Sequence, residues 1–213
     1  MSARVDRDYA PWVALSRVKG LGCVGFKKIA GHFADPTQAF GAPRQQLNEV
    51  PGLDRDAIDG LLGFSDWKQA EAESRRAQDS GVRLIAFNDP DYPERLRAIA
   101  DPPPLLYLKG DILAADERAV AIVRSRIASE YGLKVARSLS RGLASLGFTI
   151  VSGMARGIDG AAHQTALDGG ARTIAVLGCG VNRVYPPEHV DLYQRISRQG
   201  AVLSEFPLGT RPE

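Results

Sequence analysis

From Ala119 to the end of this 213-residue chain, short apolar runs alternate with longer amphipathic ones, and that rhythm limits the fold more than any other feature. Strands are expected at 119–123, 148–152, 173–178 and 201–206, with helices at about 130–146, 158–168 and 188–199 between them. Apolar strands joined by helical crossovers are the pattern of buried parallel strands. The expectation is an open, doubly wound, mostly parallel α/β sheet. Ligands of such sheets gather at the carboxyl ends of the strands. Every unusual segment of this half falls there: 124–129, 153–157, 178–187 and 204–208.

The first half is built differently. From Trp12 to about Phe64, short helical stretches are broken by glycine and proline. Leu15, Val18, Gly20, Leu21 and Gly22, then Phe26 and Ile29, read as helix, tight hairpin, helix; Leu47, Val50, Pro51, Gly52, Leu53 and Ile58 repeat the theme. A tandem helix-hairpin-helix pair can grip a nucleic-acid backbone through its hairpin amides. Two hairpins that pack on each other fit the same pattern. Asp54 stands in the second copy where the first has Gly22, and a carboxylate there opposes a phosphate contact. An amphipathic helix over 65–79 stops at Ser80-Gly81. Short strands at 82–87 and 105–108 follow, separated by the proline-bearing turns of NDPDYPERL and DPPP. The expected division is a small all-helical domain over 1–66 and an α/β domain over 67–213.

Charge is uneven between the halves. Residues 1–117 hold 15 Lys/Arg against 18 Asp/Glu, a balance of −3, whereas 118–213 hold 12 against 7, a balance of +5. Positive charge on the half with the glycine loops suits a nucleotide or nucleic-acid ligand, and equally a solvated face. No apolar run approaches a membrane span and the charged N-terminus opens no secretory signal, so a cytoplasmic location is expected. Cys23 and Cys179 lie in different halves and suggest neither a disulfide framework nor a metal site.

Among the loops, SGMARGID (Ser152 to Asp159) is the strongest pointer to chemistry. A strand opening through glycines into a helix turns backbone N–H groups and a positive helix end toward an anion. Asp159 is placed to cap that helix through Ala161 and Ala162, a role needing no ligand. The next loop, GCGVNR, fails as a dinucleotide fingerprint: Arg183 takes the third glycine position and Pro186 and Pro187 delay the helix. No nicotinamide or flavin cofactor is expected. A thiol nucleophile at Cys179, with His163 or His189 as base, lacks an orienting partner in the sequence.

The series DPDYPERLRAIADPPPLLYLKGD, VAIVRSR, SGMARGIDGAAH, AVLGCGVNRVYPPEH and AVLSEFPLGT, in this order and spacing, closely resembles the DNA-processing protein A family, DprA or Smf. The resemblance implies a helical, sterile-alpha-motif-like N-terminal domain followed by an extended Rossmann-like domain. It implies a non-enzymatic mediator that binds single-stranded DNA, protects incoming strands and loads RecA recombinase during natural transformation, with no cofactor and no metal. The family's G-S/T-R loop maps onto Arg124, Ser125 and Arg126, with Arg126 the phosphate-contacting arginine. Its glycine loop maps onto Ser152, Gly153, Ala155, Gly157, Ile158 and Asp159; Arg156 and Arg183 would extend the DNA track. Arg124 replaces the family's glycine and is read as impairing the site. The family continues past SEFPLGT, so 67–213 reads as C-terminally incomplete, the strand at 201–206 is expected at an uncovered edge, and a family-like homodimer is left open. Two other readings stay in view: a phosphoribohydrolase-like nucleotide enzyme, whose P-G-G-x-G-T-x-x-E signature is missing, and an inactive truncated member.

Overall fold

The computed structural model describes residues 8–123 and 128–212. The chain divides into two compact units, Met1–Leu106 and Tyr107–Glu213. The expected boundary at 66/67 falls inside the first unit, at the start of a long helix.

The first unit holds helices α1 (Ala10–Arg17), α2 (Gly22–His32), α3 (Arg44–Asn48), α4 (Arg55–Leu62) and α5 (Trp67–Asp79). Strand β1 (Arg83–Ala86), the single turn α6 (Glu94–Arg97) and the first residues of β2 (Leu105–Gly110) complete it. Both hairpins form, and they are closed against each other. A Cβ on Gly60 of α4 would overlap the Lys19 carbonyl of the first hairpin, while Lys28 of α2 donates to the Gly52 carbonyl of the second. Packing therefore accounts for the repeated motif. NDPDYPERL is likewise structural: Asp89 Oδ2 accepts from Ala86 N (2.7 Å) and from the Tyr9 hydroxyl (3.1 Å). Arg97 lies over the rings of Phe87 and Tyr92, each 5.5 Å away, and donates to the Asp89 carbonyl.

In the second unit the expected alternation appears as β3 (Ala119–Ala121), α7 (Glu130–Ser145), β4 (Thr149–Ser152), α8 (Ile158–Asp168), β5 (Thr173–Val176), α9 (Val190–Gln199) and β6 (Ala201–Ser204). The six strands run in the order β1-β2-β6-β5-β4-β3. β3 to β6 are mutually parallel, and β2 pairs antiparallel with β6, Tyr107 opposite Ser204. The sheet is thus mixed and mostly parallel. One expectation is corrected here: β6 lies between β5 and β2 and is fully buried, so it is no open edge. Residues 105–110, about a hundred positions earlier, supply its second neighbour, which reading consecutive strands does not reveal. From β3 to β6 the order steps steadily one way, and right-handed crossovers then put α7, α8 and α9 on the same face. Small residues let α8 lie close to the sheet, where Ala162 and Ala166 bury against Ile150.

The ends of β4 and β5 away from the glycine loop are tied by one ion pair. Asp116 accepts from Arg172 Nε and Nη2 (both 2.8 Å), from Thr149 Oγ1 (2.7 Å) and from Leu113 N (2.8 Å). Burial raises the Asp116 carboxyl, but the Arg172, Leu113 and Thr149 hydrogen bonds outweigh it and hold the pKa below its usual value. Arg172 also reaches the carbonyls of Asp111 and Gln199, joining three chain segments. Arg172→Met leaves the Asp116 charge buried without its guanidinium. It should lower the unfolding free energy by about 2–4 kcal/mol in urea denaturation; a loss below about 0.5 kcal/mol would show that the pair carries no structural weight.

Candidate functional site

β4 ends at Ser152, and five residues of loop lead into α8. Gly157 precedes the helix at φ 78°, ψ −121°, a conformation open in practice only to glycine. Met154 also has positive φ (59°), unusual for a side chain of its size, and is fully buried. His189 lies against this strained turn, its Nδ1 2.9 Å from the Met154 carbonyl, and its ring occupies the space beside Gly160 that a Cβ would need.

Asp159, expected to cap the helix, makes a contact back toward the loop. The N-cap position of α8 is Gly157, and Asp159 lies inside the first turn. The buried carboxylate folds back under the loop, where Oδ2 accepts from Ala155 N at 3.4 Å. Gly153 is required for this: a Cβ there would stand 2.8 Å from Asp159 Oδ2. The helix's positive end is thus met by an acid of its own chain.

The remaining sequence candidates fall into place unevenly. Arg124, Ser125 and Arg126 lie outside the described residues. Ser152 is buried and its hydroxyl donates a hydrogen bond to the Ile122 carbonyl (2.6 Å), tying the end of β4 to the segment that follows β3. Arg156 is half exposed at the mouth of the loop, where it meets Glu188 through two bonds, Nε to Oε1 at 2.5 Å and Nη2 to Oε2 at 3.0 Å. Arg183 donates through Nε to the Gly209 carbonyl (2.8 Å), while Gly209 N donates to Asn182 Oδ1 and Gly180 N to the Thr210 carbonyl. GCGVNR and SEFPLGT are therefore stitched together, with Arg183 as a clamp.

Between these loops, at the carboxyl ends of β4, β5 and β6, lies a cleft of about 490 Å³. Gly153, Ala155 and Gly178 form part of its wall, and Tyr185, Phe206 and Arg211 stand around it. Tyr185 and Phe206 keep 39% and 37% of their surface exposed, which is high for aromatic rings beside an apolar cavity. Phe206, Arg211 and Glu188 were not singled out from the sequence. For Phe206 the available signal was an aromatic residue two positions after a strand whose end faces the crevice; Glu188 and Arg211 lie far along their loops and carried no such signal.

Residues 83–213 match the family described as DNA recombination-mediator protein A. The chain belongs to that family. It is 37% identical over 212 residues to protein Smf of Synechocystis, covering 98% of this chain and 53% of that protein. It is 42% identical over 206 residues to protein Smf of Escherichia coli, covering 96% and 54%. The chain thus spans about half the length of these curated relatives. The crystal structure of DNA processing protein A from Streptococcus pneumoniae superposes with a TM-score of 0.72 at 28% identity, over 95% of this chain and 68% of that one. A structure of the Helicobacter pylori protein, described as giving insights into its single-stranded DNA binding mode, matches with a TM-score of 0.54 at 30% identity, over 62% and 59%.

This DprA-family crevice does not assemble the Cys-His pairing weighed above. Cys179 is buried with Sγ toward the Arg183 carbonyl (3.7 Å), and burial raises its pKa, opposed by the charge of Arg183. His163 is buried, with Nδ1 2.7 Å from Thr173 Oγ1. That hydroxyl donates onward to the Ile150 carbonyl (2.6 Å), so the neutral ring carries its proton on Nδ1. Burial drives the His163 pKa down to about 4; the Ser152 carbonyl opposes this and the His189 charge adds to it. In the unfolded chain the ring takes a proton as pH falls through about 6.5, whereas the folded ring waits until about 4. Stability should therefore fall between pH 6.5 and 4, by an amount on the order of 3 kcal/mol from this group at the limit. In thermal denaturation across that range, His163→Met should lose clearly less stability than the parent chain; parallel curves would show that His163 is not buried neutral.

Proposed function

We propose that the crevice binds single-stranded DNA and that the protein serves, without catalysis, as a cytoplasmic recombination mediator, protecting incoming strands and helping to load RecA recombinase during natural transformation. The observation that carries this reading is the composition of the cleft. Arg211 lines the cleft and Arg156 follows the lining residue Ala155, two cations suited to phosphate; the cavity itself is mostly apolar and lined by Tyr185 and Phe206, suited to the face of an unpaired base. Bases of a duplex are stacked and cannot enter. The H. pylori relative described by its single-stranded DNA binding mode supports the same ligand. A non-catalytic role is supported by the commitments of Cys179, His163 and His189, which are bound to structural partners rather than to one another.

Fluorescence anisotropy with a labelled oligo-dT and a matched duplex, at low and moderate salt, tests this directly. Single strands should bind with an affinity that falls steeply with salt, and duplex should bind more weakly. Arg126→Ala should reduce the salt slope by about one if that side chain holds one phosphate. Phe206→Ala should weaken single-strand binding by about 1–3 kcal/mol if its ring carries a base, with little change in the salt slope. Equal binding of duplex and single strand, or none of either, would overturn the reading.

A further inference from the structure

We propose that Glu188 is a built-in competitor for DNA phosphate at Arg156, so that this carboxylate sets how tightly the glycine loop grips a strand. The inference rests on the single-stranded DNA reading above and adds a residue whose role is to hold binding back.

Arg156 and Glu188 approach each other from loops that follow neighbouring strands, β4 and β5, and meet fork to fork. The edge of the guanidinium that Glu188 occupies, Nε with Nη2, presents the same pair of parallel donors that a phosphate takes. A strand crossing the loop at Arg156 therefore has to displace the carboxylate or accept a less favourable edge. Glu188 is also held in place. It belongs to the short turn Pro187–His189, and the next residue, His189, is fixed by its contact with the Met154 carbonyl inside the glycine loop. One turn thus supports the loop and presents the competing charge. Both side chains are about half exposed, 54% and 51%. An ion pair in water is weak enough for a polyanion to exchange. The carboxylate nevertheless stays beside the displaced position and repels the incoming phosphate.

The test compares the parent chain with Glu188→Gln, Arg156→Ala and the double variant, using oligo-dT anisotropy over a salt series. Asp191→Asn, an exposed acid on α9 three residues away, serves as the control for general charge. Glu188→Gln should bind about three- to tenfold more tightly at low salt. Its salt slope should be steeper by up to about one unit as Arg156 turns to the strand. In the Arg156→Ala background the same change should give less than half of that gain. Melting temperatures identify any variant that fails to fold, and Glu188→Ser then replaces Glu188→Gln. If the parent binds single strands and Glu188→Gln does not gain, or if Asp191→Asn gains equally, the inference falls while the DNA reading stands. If the parent binds no single strand, both fall together.

Discussion

The carboxylate of Asp159, tucked beneath the loop that precedes its own helix, is the constraint on which the candidate site depends. Because it lies against Gly153 and accepts from the Ala155 amide, the loop closes into a compact arch rather than an open socket. The arch explains the glycine at 153, which leaves room for the acid, and the glycine at 157, where the chain leaves it with positive φ. It also changes the electrostatics. A helix N-terminus attracts an anion because its first N–H groups lack partners and its dipole is unopposed. With an acid of the same chain already there, part of that attraction is met from within the chain.

The loop is held by its neighbours as well as by its own acid. His189 holds the strained Met154 turn, Ser152 donates a hydrogen bond to the segment following β3, and Arg183 with Asn182 fastens the GCGVNR and SEFPLGT loops together. At the far ends of β4 and β5, the pair formed by Asp116 and Arg172 fixes where those strands begin. β4 is therefore tied at both ends, and the loop it carries inherits that definition. Backbone strain of the kind seen at Met154 persists where such surroundings over-determine it.

The alternation of strands and helices after Ala119 was legible because hydrophobic periodicity is local: helix 158–168 matches α8, and most other boundaries shift by only one or two residues. The position of β6 was not legible, since its second neighbour comes from residues 105–110, and pairing partners leave no periodic trace. Asp159 was legible as an acid at a helix start but not in its direction. An aspartate two residues into a helix reads the same whether it caps forward or braces backward, and only the Cβ-free space at Gly153 decides. Arg156 and Arg183 looked alike in sequence, two arginines in adjacent glycine loops. Tertiary structure separates them, one into an exposed pair with Glu188 and the other into a clamp on Gly209.

Asp159 and Glu188 both bear on the glycine loop where the sequence suggested an attractive anion cradle, and burial separates their roles. Asp159 is 5% exposed and engaged by the loop backbone, so no ligand can displace it without unfolding the arch. Glu188 is half exposed and its main partner is the Arg156 side chain, so a polyanion can exchange for it at little structural cost. On the proposed single-stranded DNA reading, a carboxylate beside the arginine would temper the charge-driven, sequence-independent part of the affinity. One fixed acid that shapes the loop, beside one exchangeable acid that tempers it, gives geometry and restraint separate origins in a site only a few residues wide.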